Sequence, residues 1–390
     1  MKILVVGGGS GGHVTPVIAA VREIWNKHPR AVIEFWTDKK YFRNVRKIAI
    51  DGGLNLKVKK IAAGKLRRYT NFTFMMYLSH FDIVLKNIID FFKIAVGFFQ
   101  AFGRLVFLRP DAIFLKGGYV CLPVGYAARI LHIPYVIHDS DATPGLANRL
   151  LSKKATKIAT GMPLKYYKYD ESRAEWTGIP VAAEFTPVSA AKQRKYKKEL
   201  GFDTDAPLTV VTGGSLGAQT INFAVREILP QMLKKSSVLL VAGRERYPEM
   251  LDLKSYEKWE KGVLCSNFRM LEFSGEMWKL FAAADLVISR AGASTMTELS
   301  AMKKAVIMVP NHKLPGYHQV KNAKTYASAN AALVVSDDAM SKDPKKLLKA
   351  FDELINDAAK REELAQNLAE FSKDNAAGRI ADIIIRVAKK

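Results

Sequence analysis

The sequence predicts an α/β protein of two doubly wound, Rossmann-like lobes, each built on a parallel sheet, facing one another across a cleft. Three observations carry that expectation. The chain has 390 residues, enough for two domains of ordinary size. Short continuous apolar runs alternate with helical stretches, the pattern of parallel strands buried on both faces. A strand–glycine–helix corner also occurs twice, at Gly7-Gly8-Gly9-Ser10-Gly11-Gly12 and at Gly213-Gly214-Ser215-Leu216-Gly217, with first glycines 206 positions apart. Such corners leave backbone N–H groups at a helix start, where the dipole favours anions such as phosphate.

In chain order the expected strands are Lys2–Val6, Ala31–Trp36, Ala112–Lys116, Tyr135–His138 and Lys157–Thr160, then Leu208–Thr212, Val238–Ala242, Leu286–Ser289 and Ala305–Val309. Between the two series lies Gly161–Phe202, polar and irregular, with Gly178-Ile179-Pro180 as a hinge. Charge-rich amphipathic helices follow Ser336 and end in Ile380–Ala388, which can pack on either lobe. The expected division is residues 1–180, residues 181–374, and a C-terminal helix at 375–390 that returns to the first domain.

Sixty Lys and Arg against 37 Asp and Glu give a net charge of +23, a surface that attracts nucleic acid, anionic lipid or phosphorylated substrates. Lys39 to Arg68 alone holds eleven basic residues and one acid, Asp51. Cys121 and Cys265 are the only cysteines, too few for a disulfide framework and without metal-ligand spacing. The apolar run before Gly7 is too short for a signal-peptide core, so a cytosolic protein is expected.

From Phe72 to Leu108 apolar and aromatic residues dominate. Asp82, Lys86, Asp90, Lys93, Gly97, Gln100 and Arg104 recur at steps of three or four and trace one narrow polar stripe. No uninterrupted apolar run reaches the roughly 18 residues of a membrane span. The segment is either a core helix or an interfacial helix whose bulky face dips into a bilayer. The basic tract upstream favours lipid, with Phe91, Phe92, Phe98, Phe99, Arg67 and Arg68 as contacts.

Three polar clusters follow strand ends. Gly7–Gly12 fits a dinucleotide fingerprint, but the nearest acid, Asp38, lies 26 residues past Gly12, beyond the usual spacing of about 20. His13 and Pro16 are no part of that fingerprint; a histidine at a helix N-terminus is held neutral and suits a general base, though it equally suits packing. His138-Asp139-Ser140-Asp141 and Thr143–Asn148 place carboxylates at the ligand-binding edge of a parallel strand, or serve as turn chemistry. Asp-x-Asp occurs there and at Asp203-Thr204-Asp205, a metal pattern in some nucleotide-sugar enzymes, but no further ligands gather nearby. Ser289–Thr295 offers amides for a diphosphate, and Glu298 an acceptor for ribose hydroxyls or a first-turn dipole partner.

Together with Gly64–Tyr69, Lys116-Gly117-Gly118-Tyr119-Val120, Asn222 and His318–Asn322, these motifs resemble the MurG family over nearly the whole chain. That family transfers N-acetylglucosamine onto the undecaprenyl-linked muramyl-pentapeptide precursor of peptidoglycan. The resemblance implies a GT-B architecture with UDP-N-acetylglucosamine held by Gly213, Gly214, Ser215, Gly217, Phe268, Arg269, Gly292, Thr295, Glu298, His318 and Gln319. Acceptor contacts would come from Gly11, Gly12, His13, Tyr119, Asp141, Asn148 and Asn222, with His13 or Asp139 taking the hydroxyl proton. It further implies a peripheral enzyme on the cytoplasmic face of the cell membrane, with UDP-N-acetylglucosamine, an undecaprenyl-linked lipid and an anionic surface as partners. No cofactor and no obligatory metal are expected.

One departure stands out: the family pattern Gly-x-Pro-Val-Arg ends here in Val181-Ala182, leaving Arg244, Arg290 or Lys313 to supply the missing charge. The alternatives are a related lipid glycosyltransferase with another acceptor and a nicotinamide oxidoreductase. Nucleic acid is not expected, because no nucleic-acid motif accompanies the basic residues. Oligomeric state is not legible.

Overall fold

A computed structural model describes residues 1–8, 11–65, 81–214, 217–260, 263–264 and 266–389; at 11–13, 81–83, 263 and 315 it describes the backbone alone. The chain divides into two compact units, Met1–Val181 with Lys373–Lys390, and Ala182–Ser372.

In the first unit, strands β1 (Lys2–Val6), β2 (Val32–Thr37), β3 (Lys57–Lys60), β4 (Ala112–Leu115), β5 (Tyr135–Asp139), β6 (Lys157–Thr160) and β7 (Ala174–Trp176) form one parallel sheet. Its order is β3-β2-β1-β4-β5-β6-β7. Val5 of the central strand lies opposite Phe35 on one side and Phe114 on the other, all fully buried, which is why these runs carry no polar alternation. The helix Ala376–Ala388 closes one face. Its Ile380, Ile383 and Ile384 pack among Val5, Val17, Val21 and Phe114, and Asp382 pairs with Lys27 at 2.6 Å.

The second unit holds β8 (Leu208–Thr212), β9 (Ser237–Val241), a small antiparallel pair β10 (Trp259–Glu260) and β11 (Val263–Leu264), then β12 (Phe268–Leu271), β13 (Leu286–Ser289), β14 (Val306–Met308) and β15 (Leu333–Val334). The parallel sheet runs β12-β9-β8-β13-β14-β15. Both glycine corners therefore follow the strand at which the order reverses, where ligands of doubly wound sheets bind.

Six of the described strands escaped the sequence reading: the short antiparallel pair β10 and β11, and β3, β7, β12 and β15, each an edge of a parallel sheet. An edge strand is short and half wet, so it lacks a continuous apolar run. The stretch Gly161–Phe202 is likewise more ordered than expected. It contains β7 and the helix Ala190–Glu199, whose sequence AAKQRKYKKE has no apolar stripe. That helix is held by polar groups instead: Lys197 donates to Ala206 O at 2.8 Å and pairs with Asp285 at 2.7 Å.

The helix Phe81–Leu108 is amphipathic the wrong way round for a water-soluble surface. Part of its polar stripe faces protein: Asp90 is buried, Gln100 Oε1 accepts from Ala62 N at 3.0 Å, and Arg104 donates to Lys60 O at 2.6 Å, while Lys86 and Lys93 are exposed. Its aromatic face is bare, with Phe91, Phe92 and Phe99 60–72% exposed and Phe107 89% exposed. Phe98 instead packs against the core cluster that holds Leu105 and Val124. Residues Val84–Leu108 have mean hydropathy 1.6 and suffice by length and composition to cross a bilayer, which counting uninterrupted apolar residues did not anticipate. Arg67 and Arg68 lie outside the described residues.

Gly97 permits this docking, because a Cβ there would stand 1.9 Å from Ala62 O, whereas at Gly103 nothing lies within 4 Å. Gly97→Ala is therefore expected to lower unfolding free energy by about 1–3 kcal/mol as an overpacked contact. In the same denaturant titration Gly103→Ala should be neutral or stabilising by up to about 1 kcal/mol from helix propensity. Equal effects at the two positions would refute the close-approach argument.

Candidate active site

In the second unit, both strand-to-helix corners open into one cavity of about 590 Å³. Gly213, Gly214 and Gly217 follow β8, and the helix Gln219–Met232 begins after Ala218 with no side-chain cap. Gly292 and Thr295 follow β13, and the helix Ala293–Ala301 likewise begins uncapped. Glycine is required by space: a Cβ on Gly217 would meet Ala242 O at 2.3 Å. First-turn amides without a cap need an outside acceptor, and two positive helix ends on one cavity select an anion.

Cations line the same cavity. Arg290 Nη1 donates to Asp337 Oδ1 at 2.7 Å and to Val309 O at 3.1 Å, while Nη2 donates to Thr220 Oγ1 at 2.7 Å. Thr220 in turn donates to Asp337 at 2.6 Å, and His312 lies 3.3 Å from the other Asp337 oxygen. Gln319 reaches the wall from the start of the helix His318–Ser328, its Oε1 accepting from Asn311 N at 2.8 Å. Asp337 and Thr220 were not expected from the sequence, where Ser336-Asp337 signals only a helix start.

Of the other expected donor residues, Glu298 lies one turn beyond Thr295 and is partly buried, which pushes its carboxyl up to about 7. Phe268 is fully buried in β12, its carbonyl accepting from Ser266 at 3.1 Å; Arg269 donates to Leu200 O and stacks on Trp259. Glu298, His318, Phe268 and Arg269 do not line the cavity. Ser215 lies outside the described residues. Asn222 is buried in the second unit and donates to Ala242 O at 2.9 Å, bracing the glycine loop from beneath.

In the first unit Gly11, Gly12 and His13 open the helix Gly11–Lys27; the His13 side chain lies outside what is described. Tyr119 donates to Asp38 at 3.0 Å, and Asp38 also accepts from Tyr41 N, so this acid is committed rather than waiting for a ribose. Asp139, 4% exposed, accepts from Asn148 Nδ2 at 2.7 Å and from the Tyr169 hydroxyl. Burial pushes its carboxyl up to about 6, with Tyr169 and Asn148 pulling the other way. Asn148 also donates to His138 O at 2.8 Å. Behind them the buried Lys116 donates to Ser140 and to His138 Nδ1 at 2.8 Å, and His138 Nε2 donates to Gly178 O at 2.9 Å. Burial holds the Lys116 ammonium down to about 8.

This enclosure corrects the expectation that Asp139 takes a substrate proton, since a general base must reach the hydroxyl it serves. Asp141 is half-buried, and its carbonyl accepts from Tyr167 at 2.8 Å. Tyr169 had no signal in the sequence, lying in the irregular stretch. Asp203-Thr204-Asp205 is a turn, Asp203 Oδ1 accepting from Asp205 N at 2.9 Å.

Glycosyltransferase family 28 accounts for both halves of the chain: its N-terminal domain matches residues 3–160 and its C-terminal domain residues 208–380. A protein of Lachnospira eligens named UDP-N-acetylglucosamine--N-acetylmuramyl-(pentapeptide) pyrophosphoryl-undecaprenol N-acetylglucosamine transferase is 34% identical over 385 residues, covering 98% of each chain. A relative of the same name from Clostridium perfringens is 34% identical over 394 residues, covering 99% of this chain and 98% of its own. Among solved structures, MurG of Acinetobacter baumannii matches with a TM-score of 0.71 at 25% identity, over 99% of both chains. The calicheamicin glycosyltransferase CalG4 shares the fold, with a TM-score of 0.65 at 15% identity over 100% of this chain and 98% of its own.

The Arg290–Asp337 pair is nearly dry, its side chains 12% and 3% exposed. Asp337→Ala strands a buried guanidinium and should cost about 3–5 kcal/mol in denaturant unfolding, far more than an exposed pair would. A loss below about 1 kcal/mol would show that water already screens the pair.

Proposed function

We propose, from the premise that this chain belongs to the MurG family of glycosyltransferase family 28, that it moves N-acetylglucosamine from UDP-N-acetylglucosamine to the undecaprenyl-pyrophosphoryl N-acetylmuramyl-pentapeptide. It is a hexosyltransferase of peptidoglycan synthesis with two Rossmann-like domains of the GT-B class. The observation that carries the reading is the pair of uncapped helix starts on one cavity, a ready receptor for a diphosphate. Gly213, Gly214, Ser215, Gly217, Gly292 and Thr295 hold the phosphates in this reading. Gln319 takes a sugar hydroxyl from the cavity wall, while Glu298, His318 and the backbone at Phe268 and Arg269, which the family resemblance assigns to ribose, sugar and uracil, lie off that wall.

The acceptor belongs to the first unit, where Gly11, Gly12, His13, Tyr119 and Asp141 take it up; Asn148 and Asn222, expected as contacts, are buried and hydrogen-bonded within their own units. His13 removes the proton from an acceptor sugar hydroxyl, whose oxygen attacks the anomeric carbon as UDP departs, inverting the configuration. Asp139 acts as a positioning residue, holding Asn148 and Tyr169 around the acceptor loop. Helix ends and side chains meet the leaving-group charge, so no step calls for a metal.

Labelled UDP-N-acetylglucosamine offered to the muramyl-pentapeptide lipid or to a diacylglycerol should label the first alone; the opposite outcome assigns another acceptor. His13→Ala should lower kcat by about 100-fold or more as a lost general base, with UDP-N-acetylglucosamine affinity intact. Collapse of donor affinity would move His13 to the donor site.

The bare aromatic face of Phe81–Leu108 supports a peripheral seat on the cytoplasmic face of the membrane. Polar contacts tie the opposite side of the helix to its own unit, which favours lying in the interface over crossing it. Replacing Phe91, Phe92 and Phe99 together by Ser should weaken binding to anionic vesicles by at least about 10-fold, given about 1.5–3 kcal/mol for each fully buried ring. Turnover on a detergent-dispersed acceptor should persist. Unchanged vesicle binding would remove this helix from the membrane contact.

A further inference from the structure

We infer that Lys313 is the side chain whose charge meets the diphosphate of the nucleotide sugar, an assignment that rests on the cavity's taking UDP-N-acetylglucosamine. Three cationic residues, Arg246, Arg290 and Lys313, line the cavity, and they differ in what already engages them. Arg290 is spent: its guanidinium makes three hydrogen bonds inward, and the buried Asp337 neutralises it. Arg246 pairs with Glu249 at 2.7 Å, and Glu245 lines the same wall, so that wall brings no surplus of positive charge. Arg244 does not line the cavity; its guanidinium stacks on Phe273 at 4.3 Å. Lys313 is exposed, and its ammonium has no partner among the described residues.

The backbone beneath Lys313 is firmly held. Lys313 N donates to Asn311 Oδ1 at 2.9 Å, and Asn311 N donates to Gln319 at 2.8 Å. The loop then passes through two successive left-handed residues, Gly316 at φ 78° and Tyr317 at φ 53°. A tyrosine in that region is strained and persists only where its surroundings over-determine it. Lys313 is thus an exposed, uncommitted charge on a hydrogen-bonded backbone, fastened to the residue expected to read the sugar. When the anomeric C–O bond breaks, its electron pair stays on the terminal phosphate oxygen, and an uncommitted ammonium can close on that oxygen without breaking another pair.

Calorimetric titration of the full chain with UDP and with uridine tests the assignment. Lys313→Gln should weaken UDP by about 10- to 100-fold, the worth of one charge-assisted hydrogen bond, and leave uridine unchanged. It should also flatten the salt dependence of UDP binding, and Lys313→Arg should restore both. Arg246→Gln should bind UDP nearly as well as the parent. Retained UDP affinity in Lys313→Gln, equal losses for UDP and uridine, or a loss confined to Arg246→Gln would each overturn the assignment. If the unaltered protein binds no UDP, the reading of the cavity fails first and takes the assignment with it.

Discussion

At the ends of β8 and β13 no side chain caps the helices that follow, and after β8 the backbone turns too tightly for any residue but glycine. A side chain on Gly213 would fall 2.1 Å from Ala218 N, and one on Gly217 would fall 2.3 Å from Ala242 O. Ala218 and Gly292 at the caps carry no acceptor. The unpaired amides of both helices therefore converge on one space, and what the fold leaves unsatisfied becomes its affinity for a phosphorylated ligand. The same convergence raises positive potential in the wall, and the buried Asp337 answers it by pairing with Arg290 while Thr220 donates to the same carboxylate. The brace is internal. It frees the cavity's remaining cations to differ in role.

The first unit spends its apolar residues differently. Its sheet and the helix Ala376–Ala388 consume the aliphatic side chains, while the helix Phe81–Leu108 turns its phenylalanines outward. That inversion is stable because the polar stripe finds backbone partners at Lys60 and Ala62 and because Gly97 lets the helix come close. A bare aromatic face of this size marks an interaction surface.

The cluster at the end of β5 shows how burial redistributes roles among similar groups. Asp139 and Asp141 stand two positions apart, yet one is enclosed by Tyr169 and Asn148 and the other is half-buried. Burial raises the first carboxyl and makes it an internal acceptor. Lys116 and His138 extend this network to Gly178 O at the end of the unit, so the polar residues of three loops form one connected scaffold.

The central strands were legible because both faces are dry: Lys2–Val6, Lys157–Thr160, Leu208–Thr212 and Leu286–Ser289 were located residue for residue from unbroken apolar runs. The glycine corners were legible too, because their spacing reflects a local backbone demand. The edge strands and the helix Ala190–Glu199 were not, since they are stabilised by neighbours distant in sequence rather than by their own pattern. Among candidate site residues, the family resemblance grouped Gly213, Gly214, Gly217, Gly292, Thr295 and Gln319 with Phe268, Arg269, Glu298 and His318; the fold gathers the first six on one cavity and leaves the other four off its wall. Which carboxylate is enclosed, which arginine is already paired and which way the aromatic face turns were decided by tertiary structure alone. Charge pairing and exposure depend on residues brought together across 30 to 47 positions, as in Tyr169 with Asp139 and Arg290 with Asp337, and no local pattern encodes them.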